Sequence, residues 1–250
     1  MNLHRPVPLP LAATAPSDNN GAVCGESWRR DAAIVVGAGA VLYGSIATLP
    51  ATLIGEAAAE HGVVEAATLV LFVAAALLAT LAAWRRLWES GYLAAAIFAA
   101  AAMRELDFHK AFTSRSITRG VGIGFIVSPD VPWIEKVIVV LVGCALLGAV
   151  VVLCRREWPT FRIGLRARSR PVMLALMGLA LVLLAGAVDD TYGRVKALGT
   201  AVGARWQLLE ELLELQAAAI FVIALVPALL PSADAEEALE GSFVDVREQD

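Results

Sequence analysis

Apolar runs of about 20 residues, broken by short charged segments, recur along this chain and constrain its fold more than any motif does. At 1.5 Å rise per residue, such a run matches the roughly 30 Å hydrocarbon core of a bilayer. Hydrophobic residues fill 58% of the 250 positions, charged residues only 18%, and mean hydropathy is +0.70. A soluble domain is roughly half apolar and a quarter charged, so a soluble fold is excluded. The expected fold is all-α, a six-span transmembrane helical bundle.

The expected spans are Ala32–Ile54, Val63–Trp84, a third from Tyr92, Trp133–Cys154, Val172–Val188 and about Leu208–Leu230. In the first, Ala33/Gly37 and Ala40/Gly44 set small residues four apart, which favours close helix packing in lipid. The third meets Arg104 after an apolar stretch too short to cross, so Arg104-Glu105-Leu106-Asp107 is assigned to the span itself. Residues 1–31 are read as a mobile tail, residues 32–231 as the membrane domain, and residues 232–250 as an acidic disordered tail. Between spans 3 and 4, Val121–Val127 either lies on the interface or dips into it. Its Gly120-x-Gly-x-Gly124 spacing is no phosphate loop, lacking a preceding strand and a following Gly-Lys-Ser/Thr.

Basic residues set the orientation. Arg85 and Arg86 lie between spans 2 and 3, and Arg155, Arg156, Arg162, Arg166, Arg168 and Arg170 between spans 4 and 5. The segment between spans 1 and 2 has no Lys or Arg. This asymmetry places both termini in the cytoplasm, against a smaller set of basic residues on the other side (Arg104, Lys110, Arg115, Arg119, Lys136, Arg194, Lys196 and Arg205). Arginine use over lysine and abundant alanine point to a bacterial inner membrane. The arginines are explained by topology and anionic headgroups, and nothing supports nucleic-acid binding. Cys24, Cys144 and Cys154 have no paired spacing, which argues against a disulfide framework.

Four charged clusters stand out: Glu56, Glu60, His61 and Glu65 at the start of span 2; Arg104, Glu105, Asp107, His109 and Lys110 at the end of span 3; Asp189 and Asp190 at the end of span 5; Glu210, Glu211 and Glu214 at the start of span 6. Because spans alternate in direction, all four fall on one side, the extracytoplasmic one by the arginine rule. Residues three or four apart share a helix face, which aligns His61 with Glu65, Glu105 with His109, and Glu214 with Glu210 and Glu211. Arg104 lies roughly 9 Å deeper than Lys110. A charge at membrane depth costs about 2.5–3.5 kcal/mol on insertion scales, so Arg104 needs a water-filled cavity or a partner. Glu105, Glu65 or a carboxylate on span 6 are the candidates. The alternative is a solvated rim of span-end charges with Arg104 as a structural cross-link.

Histidine with carboxylates from several helices makes a workable shell for a divalent metal such as Zn²⁺, with His61, His109 and Asp107 as the expected ligands. Glu65, Glu105 and Glu214 are then the expected general acid–base groups. Three readings compete: a membrane-embedded hydrolase or transferase acting on a lipid or lipid-linked substrate, a proton or cation pathway, and a non-catalytic sensor or assembly component.

The run Arg104-Glu105-Leu106-Asp107-Phe108-His109-Lys110, with Glu60–Glu65 and Glu210–Glu214, resembles a motif of bacterial polytopic membrane proteins with no assigned activity. The resemblance spans the six apolar runs and implies the bundle alone. Membrane hydrolases of the alkaline ceramidase type also join spans to a histidine–aspartate metal site. This chain lacks their third membrane histidine, so their activity is not carried over.

Overall fold

A computed structural model describes residues 21–48, 50, 62–106, 129–196 and 199–229. Among these the chain is wholly helical: α1 Gly21–Ala47, α2 Val63–Trp84, α3 Gly91–Glu105, α4 Trp133–Arg166, α5 Arg170–Lys196 and α6 Thr200–Leu225, followed by a 3-10 turn, Val226–Leu229.

Three of these helices are long and apolar enough to cross a membrane: α2, α4 and the Arg170–Asp189 part of α5. The other three fall short for identifiable reasons. The described part of α1 after Asp31 is brief, α3 has only 15 residues, and α6 carries Glu210, Glu211 and Glu214 where a lone span would be uncharged. What disqualifies α6 on hydropathy is therefore the set of carboxylates that makes it of interest.

α6 is the central helix, packed against α5, α2 and α1, and α2 pairs with α3. Small residues permit the α2–α3 approach. Ala79 packs with Ala94 and Ala95, Ala83 lies against Gly91, and a Cβ on Gly91 would stand 2.6 Å from the Ala79 carbonyl oxygen. Thr68, buried in α2, returns its hydroxyl to the Val64 carbonyl at 3.0 Å and so carries no unpaired polar group into the core.

Helices consecutive in sequence run in alternating directions, so α2 and α6 lie parallel. Val64 at the start of α2 packs with Leu208 and Leu212 near the start of α6 and with Tyr43 late in α1. At the opposite end, Trp28 and Ala32 of α1 pack with Leu174 of α5 and with Ile220 and Ala224 of α6. Trp206 ties α6 to α5 by donating its indole N–H to the Val188 carbonyl at 2.8 Å.

Several boundaries differ from those expected. α1 begins at Gly21, so residues 21–31, assigned to a mobile tail, extend the first helix, and Asp31 accepts a hydrogen bond from Arg170 at 2.6 Å. The fourth helix does not stop at Cys154 but runs on to Arg166, through Pro159. The fall in hydropathy at Arg155 does not end the helix. Backbone hydrogen bonds continue in headgroups and water as they do in lipid. Most of what was read as the loop between spans 4 and 5 is therefore helix. α3 ends at Glu105 with Leu106 as its C-cap, so Arg104 and Glu105 belong to the helix and Leu106 closes it. The segment Val121–Val127 and the tail 232–250 lie outside the described residues.

α4 stands apart. None of its apolar window is buried, Gly164 is its only buried residue, and it touches the bundle along the flanks of α3 and α5 and the turn between α2 and α3.

A candidate carboxylate centre

The last turn of α3 meets the fourth turn of α6, which carries Glu211 and Glu214. α3 ends at Glu105 with Leu106 as its C-cap, the Leu106 N–H bonded to the Ala102 carbonyl at 3.2 Å. α6 presents Glu211 and Glu214, three residues apart, on the face that packs into the bundle beside the buried Leu208 and Leu212.

One oxygen from each of Glu105, Glu211 and Glu214 lies within 4.8 Å of the others. Glu105 and Glu214 are buried and Glu211 is half-buried. The Arg104 guanidinium donates to Glu214 Oε1 at 2.7 Å. Of this pair the carboxylate is the enclosed member: its side chain is 9% exposed, against 53% for the arginine. Arg104, half-exposed, thus neutralises a buried charge. Glu211 Oε2 is buried with no hydrogen-bond partner among the described residues. Glu65 at the start of α2, and Glu105, Glu210 and Glu214, all act electrostatically on Glu211, and Asp189 acts on Glu210.

Among the described residues, three carboxylates stand against one guanidinium, a local excess of two negative charges in a poorly solvated place. Like charges so close cannot all remain ionised without compensation. A divalent cation or retained protons would supply it. The donor set among the described residues is all oxygen, which fits a hard cation such as Mg²⁺, Mn²⁺ or Ca²⁺ better than Zn²⁺, whose protein ligands are mainly Cys and His.

Set against the expected residues, the structure brings Glu105 and Glu214 together, adds Glu211 as the third member, and places Glu65 within electrostatic reach. Of the three proposed partners for Arg104, the carboxylate on the sixth helix makes the hydrogen bond. Glu210 is half-buried on α6 and Asp189 is exposed on α5, while Asp190 lies in α5 with its side chain undescribed. Glu56, Glu60, His61, Asp107, His109 and Lys110 lie outside the described residues. The expected ligand set of His61, His109 and Asp107 is thus not among the residues seen to converge. Glu211 is expected in the polar site but outside the acid–base and metal-ligand sets, and its signal is the three-residue spacing to Glu214.

No family model matches the chain, and neither a curated protein nor a solved structure shows significant similarity to it.

Proposed function

We propose that this chain is a six-span protein of a bacterial inner membrane, with its arginine-rich end cytoplasmic, and that Glu105, Glu211 and Glu214 hold a hard divalent cation near the outer leaflet. The observation that carries the reading is the convergence of three carboxylate oxygens from two helices within 4.8 Å, next to a single guanidinium. A cation there suits a hydrolase or transferase acting on a lipid or lipid-linked substrate, since the centre sits where headgroups reach. Arg104, half-exposed beside the carboxylates, would receive an anionic group of that substrate. Glu65, with its own helix start in the same region, would act as general base.

Elemental analysis of detergent-purified protein tests the cation. Near-stoichiometric metal is expected in the wild type, with loss in Glu211→Gln and Glu214→Gln. Retention should also fall as the pH is lowered, because protons compete for the same oxygens. Metal-free wild type, prepared without chelator, would remove the reading.

One observation favours a second reading. The unpartnered, buried Glu211 Oε2 suits a carboxyl that takes up and releases a proton, as in a proton or cation pathway. Proteoliposome flux that Glu211→Gln abolishes, from a metal-free protein, would establish it in place of the first.

A further inference from the structure

The end of the bundle opposite the carboxylate centre carries a second charged surface of opposite sign. Arg85 and Arg86 follow α2, Arg29 and Arg30 lie in the first half of α1, and the far part of α4 with its turn into α5 carries Arg155, Arg156, Arg162, Arg166, Arg168 and Arg170. The described carboxylates at this end are already engaged. Asp31 accepts from Arg170, Glu89 pairs with Arg156, and Glu157 accepts the Trp88 indole N–H at 3.1 Å. Arg85, Arg86, Arg155, Arg162, Arg166 and Arg168 are exposed and have no acidic partner among the described residues.

Two of these arginines occupy costly backbone positions. α2 and α4 both end in the same cap, in which the residue after the C-cap adopts the left-handed conformation that glycine adopts most easily. In α2 that residue is Arg86 (φ 58°), with Leu87 N–H bonded to Ala82 O. In α4 it is Arg168 (φ 51°), with Ser169 N–H bonded to Gly164 O. A side chain there strains the backbone in a way that glycine avoids. Both positive-φ non-glycine residues among those described are therefore arginines on this one surface.

Depth identifies the partner. The uncharged run Val137–Cys154 of α4 covers about 27 Å, which nearly fills the hydrocarbon, and the next twelve residues, with Pro159 among them, bring Gly164, two residues before Arg166, beside Val172, where the apolar run of α5 begins. Arg155 therefore begins at the hydrocarbon edge, and the stacked pair Trp158–Phe161, ring centroids 6.0 Å apart, follows at headgroup level. A cluster of cations with interfacial aromatics at that depth is complementary to phosphate-bearing lipid.

We propose that this surface is a docking site for anionic phospholipid headgroups, with Arg86, Arg155, Arg162, Arg166 and Arg168 as the contacts. It is independent of the carboxylate centre and of any activity assigned to that centre.

The test uses full-length protein in zwitterionic phosphatidylcholine micelles, titrated with phosphatidylglycerol, with bound lipid quantified after gel filtration. Wild type should retain phosphatidylglycerol preferentially, and less so as salt rises. Each arginine changed to glutamine should weaken the preference about fivefold. The pair Arg86→Gly and Arg168→Gly separates binding from folding. It should hold or raise the unfolding temperature in phosphatidylcholine alone while lowering phosphatidylglycerol retention by an order of magnitude or more. Four outcomes would each overturn the proposal. They are equal retention of the two lipids, an unchanged preference in the folded glycine pair, a preference indifferent to salt, and an equal effect from soluble glycerol phosphate. Loss of the preference only when residues 232–250 are removed would also overturn it, by assigning the lipid effect to the acidic tail.

Discussion

The two ends of this bundle handle charge in opposite ways. At one, carboxylates of α3 and α6 are drawn below the surface, where Glu105 and Glu214 are buried and a single guanidinium serves three acids. At the other, arginines outnumber their acids, and the pairs that form are exposed or partly so, as in Arg156 with Glu89. The difference is one of medium. A charge held by other helices must find its partner inside the protein, so geometry becomes specific. A charge at the membrane face can be satisfied by water, ions or lipid, so geometry stays loose and only its sign is fixed. The buried end is therefore where a substitution should be felt.

The comparison is sharpest at Glu214. Glu214→Ala leaves Arg104 without its acceptor, and the expected loss is about 2–3 kcal/mol by denaturant unfolding in micelles, below the full cost for a buried pair because Arg104 is half-exposed. A double-mutant cycle with Arg104→Met should return a coupling of about 1–3 kcal/mol. Additive single effects would mean that the two ends do not differ in kind. Glu211→Gln should act with the reverse sign. Without added cation, removing one of three crowded negative charges should raise stability by about 1 kcal/mol, while any stabilisation by added Mg²⁺ or Mn²⁺ disappears. A destabilised apo variant would argue against mutual repulsion at the centre. The smallest effect belongs to the arginine end. Arg156→Gln should cost no more than about 0.5–1 kcal/mol, and that cost should vanish as salt is added. A larger, salt-insensitive loss would make this pair as specific as the buried one.

Charge was also what made the site legible in the sequence. Arg104 interrupts an apolar run too short to cross alone, so its need for a partner follows from the cost of an unpaired charge at that depth. Alternating spans then place Glu65, Arg104 and the span 6 glutamates on one side without coordinates, and the described contacts agree. The choice among partners was not legible. It depends on how α6 is rotated about its axis, which packing of Leu208, Leu212 and Ile220 against several neighbours settles. The same rotation turns Glu211 toward Glu105, whereas spacing alone gave Glu210 an equal claim as the companion of Glu214. Helix ends were misjudged where hydropathy was the guide. α4 outlasts its apolar run by twelve residues and α1 starts ahead of its own, because apolar content reports the surrounding medium and not the hydrogen bonding of the backbone.

The Arg104–Glu214 bond joins residues 110 positions apart, and that separation has a consequence for biogenesis. α2, α4 and the first part of α5 are apolar enough to partition from the translocon unaided, while α3 ends in a charge whose acceptor has not yet been made. At roughly 5–20 residues per second, the ribosome takes about 5–20 s to travel from one to the other. Through that interval the end of α3 must be held at the membrane surface or by an insertion chaperone. The third and sixth helices should therefore settle into the bilayer together, late, as a unit. Nascent chains stalled before residue 214 should leave Arg104 open to cross-linking, and chains stalled well beyond it should not.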